Sequence, residues 1–318
     1  MKIDKFVLFI IGAILLAYVF PYWGTKESSF PINEISTVGI SLIFFFYGLK
    51  LSPSKLKDGL KNYRLHVLVQ ATTFIVFPIL VVVFKPLMQT QEQETLWLSV
   101  FFLAALPSTV SSSVVMVSIA KGNIPAAIFN ASISGIIGIL VTPLWMGLFV
   151  DHSGTDFDFS TIYTQLIIQI IVPVILGLLL HRYLGAWAQR YSKQLTWFDK
   201  SIILLIIYKS FASSFAERIF TTISFLDIVL LLMVVLLLFF MVYFLTGFVA
   251  KKLNFSKEDS ITAQFCGTKK SLVHGTVFSK IIFGNVASIG AILLPIMLFH
   301  AIQILLISII AAKEAKRA

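Results

Sequence analysis

Two adjacent lysines, Lys269 and Lys270, lie near the middle of an apolar stretch that is long enough to cross a bilayer. A charged side chain at the bilayer centre costs at least ~2.5–3.5 kcal/mol on insertion scales, so both lysines need compensation. Adjacent helical residues point about 100° apart, so one partner cannot serve both lysines. The mid-membrane segments contain no Asp or Glu. The pair therefore favours binding of an organic anion with carboxylate, sulfate or phosphate character.

The residues around the lysines predict a break in the helix. The stretch reads Phe265-Cys266-Gly267-Thr268-Lys269-Lys270-Ser271. Gly267 permits unwinding, and a half-helix that begins near Ser271 would direct its positive dipole end at the same place. The alternative interpretation is that one lysine extends to the membrane interface, which does not account for both.

A second break is predicted in the first half of the chain, where the sequence reads Leu106-Pro107-Ser108-Thr109-Val110-Ser111-Ser112-Ser113. Proline ends or kinks a helix. Lipid cannot satisfy the freed backbone groups, and breaks at matching positions of two halves indicate a transporter's binding site. The hydroxyls of this stretch are therefore predicted to contact substrate: Ser108, Thr109, Ser111, Ser112 and Ser113. The alternative is that they bond to their own helix.

Other polar residues lie at similar predicted depth. His300 and Gln303 in the last span, and Asn130 in the span after the first break, are further candidates for substrate binding. Small polar residues such as Asn130 also serve helix packing. For His274, one turn beyond Lys270, a structural hydrogen bond is the favoured role, and Lys209 is interpreted as snorkelling or paired.

The composition indicates the elements that must position these residues. Of 318 residues, 58% are hydrophobic and 13% are charged. This composition predicts an all-α polytopic membrane protein, and runs such as Ile228 to Phe240 argue against a barrel. Ten spans are expected: 6–22, 35–49, 65–84, 95–119, 124–150, 162–184, 202–215, 225–249, 260–283 and 286–311. The single cysteine, Cys266, excludes an intramolecular disulfide.

Basic residues are concentrated in alternate connecting segments, which is a topology signal. With a cytoplasmic N-terminus, the inside segments contain Lys2, Lys5, Lys50, Lys55, Lys57, Lys61, Arg64, Lys121, Arg182, Arg190, Lys193, Lys200, Lys251, Lys252, Lys257, Lys313, Lys316 and Arg317. The outside segments contain only Lys26, Lys85 and Arg218, and the loop after the fifth span carries Asp151, Asp156 and Asp158. Both termini are therefore expected in the cytoplasm, with the protein in the plasma (inner) membrane.

Five spans on each side of that acidic loop predict an inverted repeat within a single membrane domain, 1–318. An odd number of spans makes the second half enter from the opposite side. The expected repeats are 1–150 and 160–312. Gly122-Asn123-Ile124 follows the first break and Gly284-Asn285-Val286 follows the second, which supports this interpretation.

The two breaks, together with Phe45-Phe46-Tyr47-Gly48-Leu49-Lys50-Leu51 and Ala120-Lys121-Gly122-Asn123, resemble the bile acid:sodium symporter superfamily, and especially a divergent branch with vertebrate members. The resemblance covers essentially the whole chain. It implies two inverted five-helix repeats with broken, crossing fourth and ninth helices. A core would hold helices three to five and eight to ten, and a panel the others. Substrate would move between core and panel by alternating access.

The family's sodium ligands are largely replaced. The resemblance places them at Phe265 and Lys269 in the ninth helix and at Thr73 in the third, while the hydroxyls of Ser112 and Ser113 persist. Sodium coupling is therefore doubted, and no cofactor or metal is expected. Lys269 is predicted to occupy the space of a sodium ion as a fixed cation.

Two further positions follow from the same resemblance. Lys270 falls where the family has a substrate-contacting asparagine, and His300 matches a histidine near the crossing point of the broken helices.

The leading interpretation is a secondary active transporter, symporter-like, of a small organic anion. Burial disfavours the charged form of a lysine, so a proton-coupled or uncoupled carrier is an alternative. A channel, and a non-transporting regulator of calcium or ion homeostasis, are the others. The five histidines show no H-E-x-x-H spacing, so an enzyme is not expected. Substrate identity and oligomeric state stay open, and no nucleic-acid partner is expected.

Overall fold

Apolar runs form helices throughout the described chain, because a helix satisfies its own backbone groups in lipid. The computed structural model describes residues 5–25, 28–51, 62–109, 111–150, 158–218, 224–283 and 289–316, with only the backbone at Ser111 and Phe225. Within these residues there is no strand. The helices are α1 Lys5–Val19, α2 Ile32–Lys50, α3 Tyr63–Ala71, α4 Phe77–Val82, α5 Gln91–Ala105, α6 Ser111–Ile119, α7 Ile124–Val150, α8 Phe159–Leu166, α9 Val172–Arg190, α10 Ser192–Ala216, α11 Phe225–Lys252, α12 Lys257–Gly267, α13 Leu272–Ile282 and α14 Ile289–Ala315.

Six helical segments are long and apolar enough to cross a membrane: Ile32–Lys50, Tyr63–Leu87, Ile124–Val150, Phe159–Arg190, Leu226–Lys252 and Ile289–Ala315. The shorter α1 is also apolar. Large hydrophobic side chains are exposed along these helices, for example Phe244 at 64% and Leu179 at 65%. Such extensive exposed apolar surface suits contact with lipid. The predicted all-helical, multi-pass class is confirmed, and the ten-span inverted repeat stays a prediction.

Two helices contain a π-helical turn that is followed at once by a proline. Thr72–Val76 joins α3 to α4, and Ile167–Ile171 joins α8 to α9. Pro78 and Pro173 occupy the second positions of the helices that follow. Proline has no N–H, so a carbonyl in the preceding turn loses its donor. In the first case the carbonyl of Phe74 accepts a hydrogen bond from Trp145 Nε1 at 2.8 Å instead.

The chain divides into two compact units, each assembled from separate segments. One unit contains α1, α2 and α8–α10, with α13 from Thr276 onward and α14 as far as Leu293. The other contains α3–α7, α11 and α12, with the start of α13 and the remainder of α14. The helices expected to form a panel fall in the first unit.

Two glycines allow α2 and α9 to pack closely in the first unit. A Cβ at Gly48 of α2 would collide with the carbonyl oxygen of Val174, and a Cβ at Gly177 of α9 would collide with that of Phe45. Small residues allow helix backbones to approach closely in membranes. The two glycines therefore fix how α2 packs on α9.

Some sequence predictions fall outside the described residues. These include the second Gly-Asn hairpin, Gly284-Asn285-Val286, most of the acidic loop, and the topology residues Lys2, Lys26, Lys55, Lys57, Lys61 and Arg317. The first hairpin is described. Asn123 donates its backbone N–H to Thr262 Oγ1 at 2.9 Å and its Nδ2 to Asp259 Oδ1 at 2.8 Å.

Candidate functional site

Both predicted interruptions are present, and they touch each other. The first separates α5, which ends at Ala105, from α6, which begins at Ser111. The second lies between α12 and α13, from Thr268 to Ser271. The backbone N–H of Ser271 donates to the carbonyl of Pro107 at 2.9 Å, and Ser108 Oγ donates to the carbonyl of Cys266 at 2.6 Å. Each break therefore supplies partners for backbone groups freed in the other.

The C-terminal end of α5 leaves a row of carbonyls without helical donors. Pro107 offers no N–H, and the N–H of Ser108 donates to Ser134 Oγ at 2.9 Å. The carbonyl of Ala105 accepts from Thr142 Oγ1 at 2.8 Å. The carbonyls of Ala104 and Leu106 both accept from the ammonium of Lys270, at 2.6 and 2.8 Å.

The π-helical turn frees a third carbonyl. The N–H of Phe77 donates to the carbonyl of Thr72, one residue earlier than in an α-helix. The next residue, Pro78, has no N–H. The carbonyl of Thr73 is therefore left without a helical donor, and it accepts from Lys270 Nζ at 2.8 Å.

The Lys270 ammonium is thus enclosed by three main-chain carbonyls, which we call the carbonyl cage (Thr73, Ala104 and Leu106). A lysine ammonium has three N–H groups, and the cage uses all of them. The ammonium also lies 4.2 Å from the ring centroid of Phe77, a cation–π contact, and it sits at the negative end of α5. The side chain is 0% exposed.

Lys269 has a different environment. Its side chain is also 0% exposed. Its ammonium donates one hydrogen bond to a described residue, to the carbonyl of Ser112 at 2.7 Å. Neither lysine therefore extends outward to an interface. Among the described residues, two of the three N–H groups of Lys269 find no acceptor.

Hydroxyl groups cluster on the first turn of α6, beside the Lys269 contact. Thr109 Oγ1 lies 2.8 Å from both Ser112 Oγ and Ser113 Oγ. The side chain of Ser111 lies outside the described atoms. The hydrogen bonds of Thr109, Ser112 and Ser113 run within the cluster, whereas Ser108 bonds across to the other break. We call Thr109, Ser112 and Ser113 the hydroxyl cluster.

Gln303 of α14 belongs to the Lys270 site, since its side chain bonds both to the N–H and to the carbonyl of Lys270. His300 Nδ1 lies 3.2 Å from Gln303 Nε2. His274 Nδ1 lies 2.9 Å from Ser271 Oγ, a local structural contact. The structure thus brings Lys270, Gln303 and His300 together.

The remaining predicted residues occupy other positions. Gln70 Nε2 donates a hydrogen bond to Asn130 Oδ1 at 3.1 Å. Asn130 Nδ2 lies 2.9 Å from His66 Nδ1. Thr73 bonds through its hydroxyl to the carbonyl of Val69 at 2.8 Å and contributes its own carbonyl to the cage. Phe265 is fully buried.

Sequence reasoning missed the carbonyl cage, which encloses the ammonium of Lys270. The expectation that Lys269 occupies the space of a sodium ion stays a prediction. Main-chain oxygens carry no signature in residue type. The available signals were Pro78 and Pro107, because each removes a backbone donor near the carbonyls that Lys270 contacts.

Comparison with known families gives a match along nearly the whole chain. A profile of the SBF-like CPA transporter family matches residues 4–316. The chain belongs to the SBF-like CPA transporter family.

Three similar proteins align with this chain over nearly their whole length. An uncharacterized protein of Pseudomonas aeruginosa is 36% identical over 314 residues, covering 99% of this chain and 93% of its own. YfeH of Escherichia coli, provisionally named a symporter, is 33% identical over 315 residues, with 99% and 94% covered. Sodium/bile acid cotransporter 7-B of Xenopus laevis is 32% identical over 311 residues, with 96% and 90% covered. The chain is therefore a multi-pass membrane protein of a transporter family, and not an enzyme.

Proposed function

We propose that this SBF-like protein is a secondary transporter that moves a small organic anion by alternating access, with the Lys269 ammonium as the group that binds the anion. The observation that carries the proposal is the environment of Lys269, which is fully buried and has one hydrogen bond to a described residue. A buried charge is stabilised only when it is paired and hydrogen-bonded. An anion would supply both.

The hydroxyl cluster supports this assignment. Ser112 provides the carbonyl that Lys269 contacts, and its hydroxyl lies 2.8 Å from Thr109 Oγ1. Hydroxyls can rotate to donate, and charge-assisted hydrogen bonds to an anion are stronger than those between neutral groups. Together, one ammonium and several hydroxyls fit a carboxylate, sulfate or phosphate group.

Lys270 has a separate part in the proposal. Its three carbonyl contacts commit it to the cage in this conformation, so we assign it the role of a fixed internal cation. Carbonyl oxygens are also the ligands that hard metal cations prefer. A lysine that fills such a cage leaves no room for sodium there, and transport is expected without a strict sodium requirement.

The rest of the proposed architecture follows from the sequence. It comprises ten spans in two inverted repeats, 1–150 and 160–312, with a core and a panel, both termini cytoplasmic, and location in the plasma (inner) membrane. Anion transport that is proton-coupled or uncoupled is compatible with Lys269, and flux measurements separate the two.

Uptake into proteoliposomes tests the proposal. Carboxylates, sulfates and phosphates that raise the melting temperature of the purified protein would be offered as labelled substrates, under sodium and proton gradients imposed separately. We expect uptake that continues without sodium and is lost in Lys269→Gln. Lys251→Gln is the control, because Lys251 is exposed at the end of α11. Strict sodium dependence that persists in Lys269→Gln would refute the mechanism.

A further inference from the structure

Two neighbouring cavities in the first unit, one apolar and one polar, share part of their lining. The apolar cavity, of about 510 Å³, lies between α1, α2 and α10 and is lined by residues such as Leu16, Leu204 and Leu205. The polar cavity, of about 250 Å³, is lined by 23–25, 28–34 and Lys209. Trp23, Phe30 and Ile32 line both cavities. Their combined size falls within the ~300–1,000 Å³ typical of small-molecule pockets.

The polar end carries positive charge. Lys209 lines the cavity and is hydrogen-bonded to Asn33 Oδ1. Lys280 also contacts Asn33 and therefore lies near Lys209. Its ammonium donates to the carbonyl of Asn33 at 3.1 Å and to Thr37 Oγ1 at 2.7 Å. Glu34 is the carboxylate among the described residues that line this cavity. Among the described residues at this end, two ammonium groups lie near one carboxylate, and this positive balance complements an anion.

Aromatic residues mark the membrane depth of the polar end. Tyr22, Trp23 and Phe30 are 58%, 55% and 55% exposed beside it, and Phe20 stacks on Trp23 with ring centroids 5.9 Å apart. Exposed Trp and Tyr side chains concentrate at the head-group level of a bilayer. These side chains favour a head-group depth for the polar cavity, and the neighbouring apolar cavity is lined by α1 and α10.

We propose that this site binds an anionic phospholipid, with one acyl chain in the apolar cavity and the phosphate beside Lys209 and Lys280. Lysine side chains near a membrane surface attract anionic lipid head groups. The site is formed entirely by the first unit and contains neither Lys269 nor Lys270, so the proposal is independent of anion transport.

Native mass spectrometry of the full-length protein in detergent tests this proposal, with phosphatidylglycerol and phosphatidylcholine of identical acyl chains as probes. We expect preferential retention of phosphatidylglycerol. Lys209→Gln and Lys280→Gln should each weaken that preference about fivefold, the effect of one basic residue on the attraction of an anionic lipid. Lys251→Gln, which removes an exposed lysine of the other unit, should leave the preference unchanged.

Filling the apolar cavity provides a second arm. Leu204→Trp should reduce retention of both lipids, and Leu205→Trp serves the same purpose if the first variant does not fold. Equal retention of the two lipids, or an unchanged preference in both lysine variants, would overturn the proposal. So would equally effective competition by glycerol phosphate, which would assign the site to a soluble anion.

Discussion

Gln303 holds the backbone of Lys270 through two hydrogen bonds. Its Oε1 accepts from the Lys270 N–H at 2.9 Å, and its Nε2 donates to the Lys270 carbonyl at 2.9 Å. The side-chain amide thereby replaces the helical partners that the interruption between α12 and α13 removes. This arrangement fixes Lys270 at the position from which its side chain reaches the carbonyl cage.

Replacing Gln303 by leucine should therefore destabilise the protein substantially. Gln303→Leu leaves a buried N–H and a buried carbonyl unsatisfied, each at about 1–3 kcal/mol. We expect a lower melting temperature in detergent by scanning fluorimetry. Gln91→Leu is the control, because Gln91 is exposed in the first turn of α5. Equal melting temperatures for the two variants would contradict the structural role assigned to Gln303.

The cage predicts chemical rescue at Lys270. Lys270→Ala removes the ammonium and leaves three carbonyls without donors, at about 1–3 kcal/mol each. Added ammonium or methylammonium chloride should raise the melting temperature of this variant, because a free cation can bind in the vacated cage. Choline chloride at equal concentration should not, since its head group has no N–H.

Lys269→Ala is the matched control for rescue, because Lys269 contacts only one described carbonyl. It should gain little from added ammonium. If Lys270→Ala is as stable as the parent protein, or if choline raises its melting temperature as much as ammonium does, the Lys270 ammonium does not stabilise the carbonyl cage.

The contact between α2 and α9 predicts strong sensitivity at its glycines. In Gly48→Ala and Gly177→Ala the new methyl group meets a backbone carbonyl, which cannot rotate away. Overpacking typically costs about 1–3 kcal/mol, and rigid backbone neighbours favour the upper end. Both variants should show lower folded yield and melting temperature. Gly12→Ala should be neutral or slightly stabilising, because its methyl group would meet no described atom within 4 Å beyond its own chain neighbours and helix backbone, and alanine favours helix.

Asp199 predicts a pH dependence of stability. Burial raises the pKa of Asp199 from 3.8 to about 6, although the nearby Lys50 ammonium opposes the shift. The folded state therefore binds more protons than the unfolded state between pH ~4 and ~6, so the free energy of unfolding contributed by Asp199 falls as the pH rises through that window. Acidification from pH ~7 to ~5 should raise the stability of the parent protein relative to Asp199→Asn.

Scanning fluorimetry at several pH values measures this difference. Asp158→Asn is the control, because hydrogen bonds from Thr161 and Ser160 lower the pKa of Asp158. The Asp158 carboxylate stays ionised in the folded and unfolded states between pH ~5 and ~7. The stability difference between Asp158→Asn and the parent should therefore stay constant. If the stability difference between the parent protein and Asp199→Asn also stays constant with pH, the pKa of Asp199 is not raised in the folded state.

Interruptions of both broken helices could be predicted from local residues. Pro107 and Gly267 act on their own helices, so their effect is readable in sequence, and the breaks lie where these residues place them. The burial of Lys269 and Lys270 followed from their mid-span positions and the absence of nearby carboxylates. Family membership followed from the same short stretches.

Partners contributed by distant segments could not be predicted. The cage combines carbonyls of residues 73, 104 and 106 with a lysine more than 160 positions away from each. No residue type identifies a main-chain oxygen as a ligand, and the π-helical turn at Thr72–Val76 has no strong sequence pattern. Lys269 and Lys270 lie between two helices, where the chain is not helical. Helical periodicity therefore does not predict which of the two side chains enters the cage.

The Lys270 charge is joined to its site by covalent bonds. A dissolved ion leaves when its outside concentration drops, and that departure lets a gradient perform work. A side chain cannot diffuse away, so no concentration gradient of the side chain itself can drive transport. Accumulation of cargo against a gradient would have to be driven through some group that exchanges freely with water.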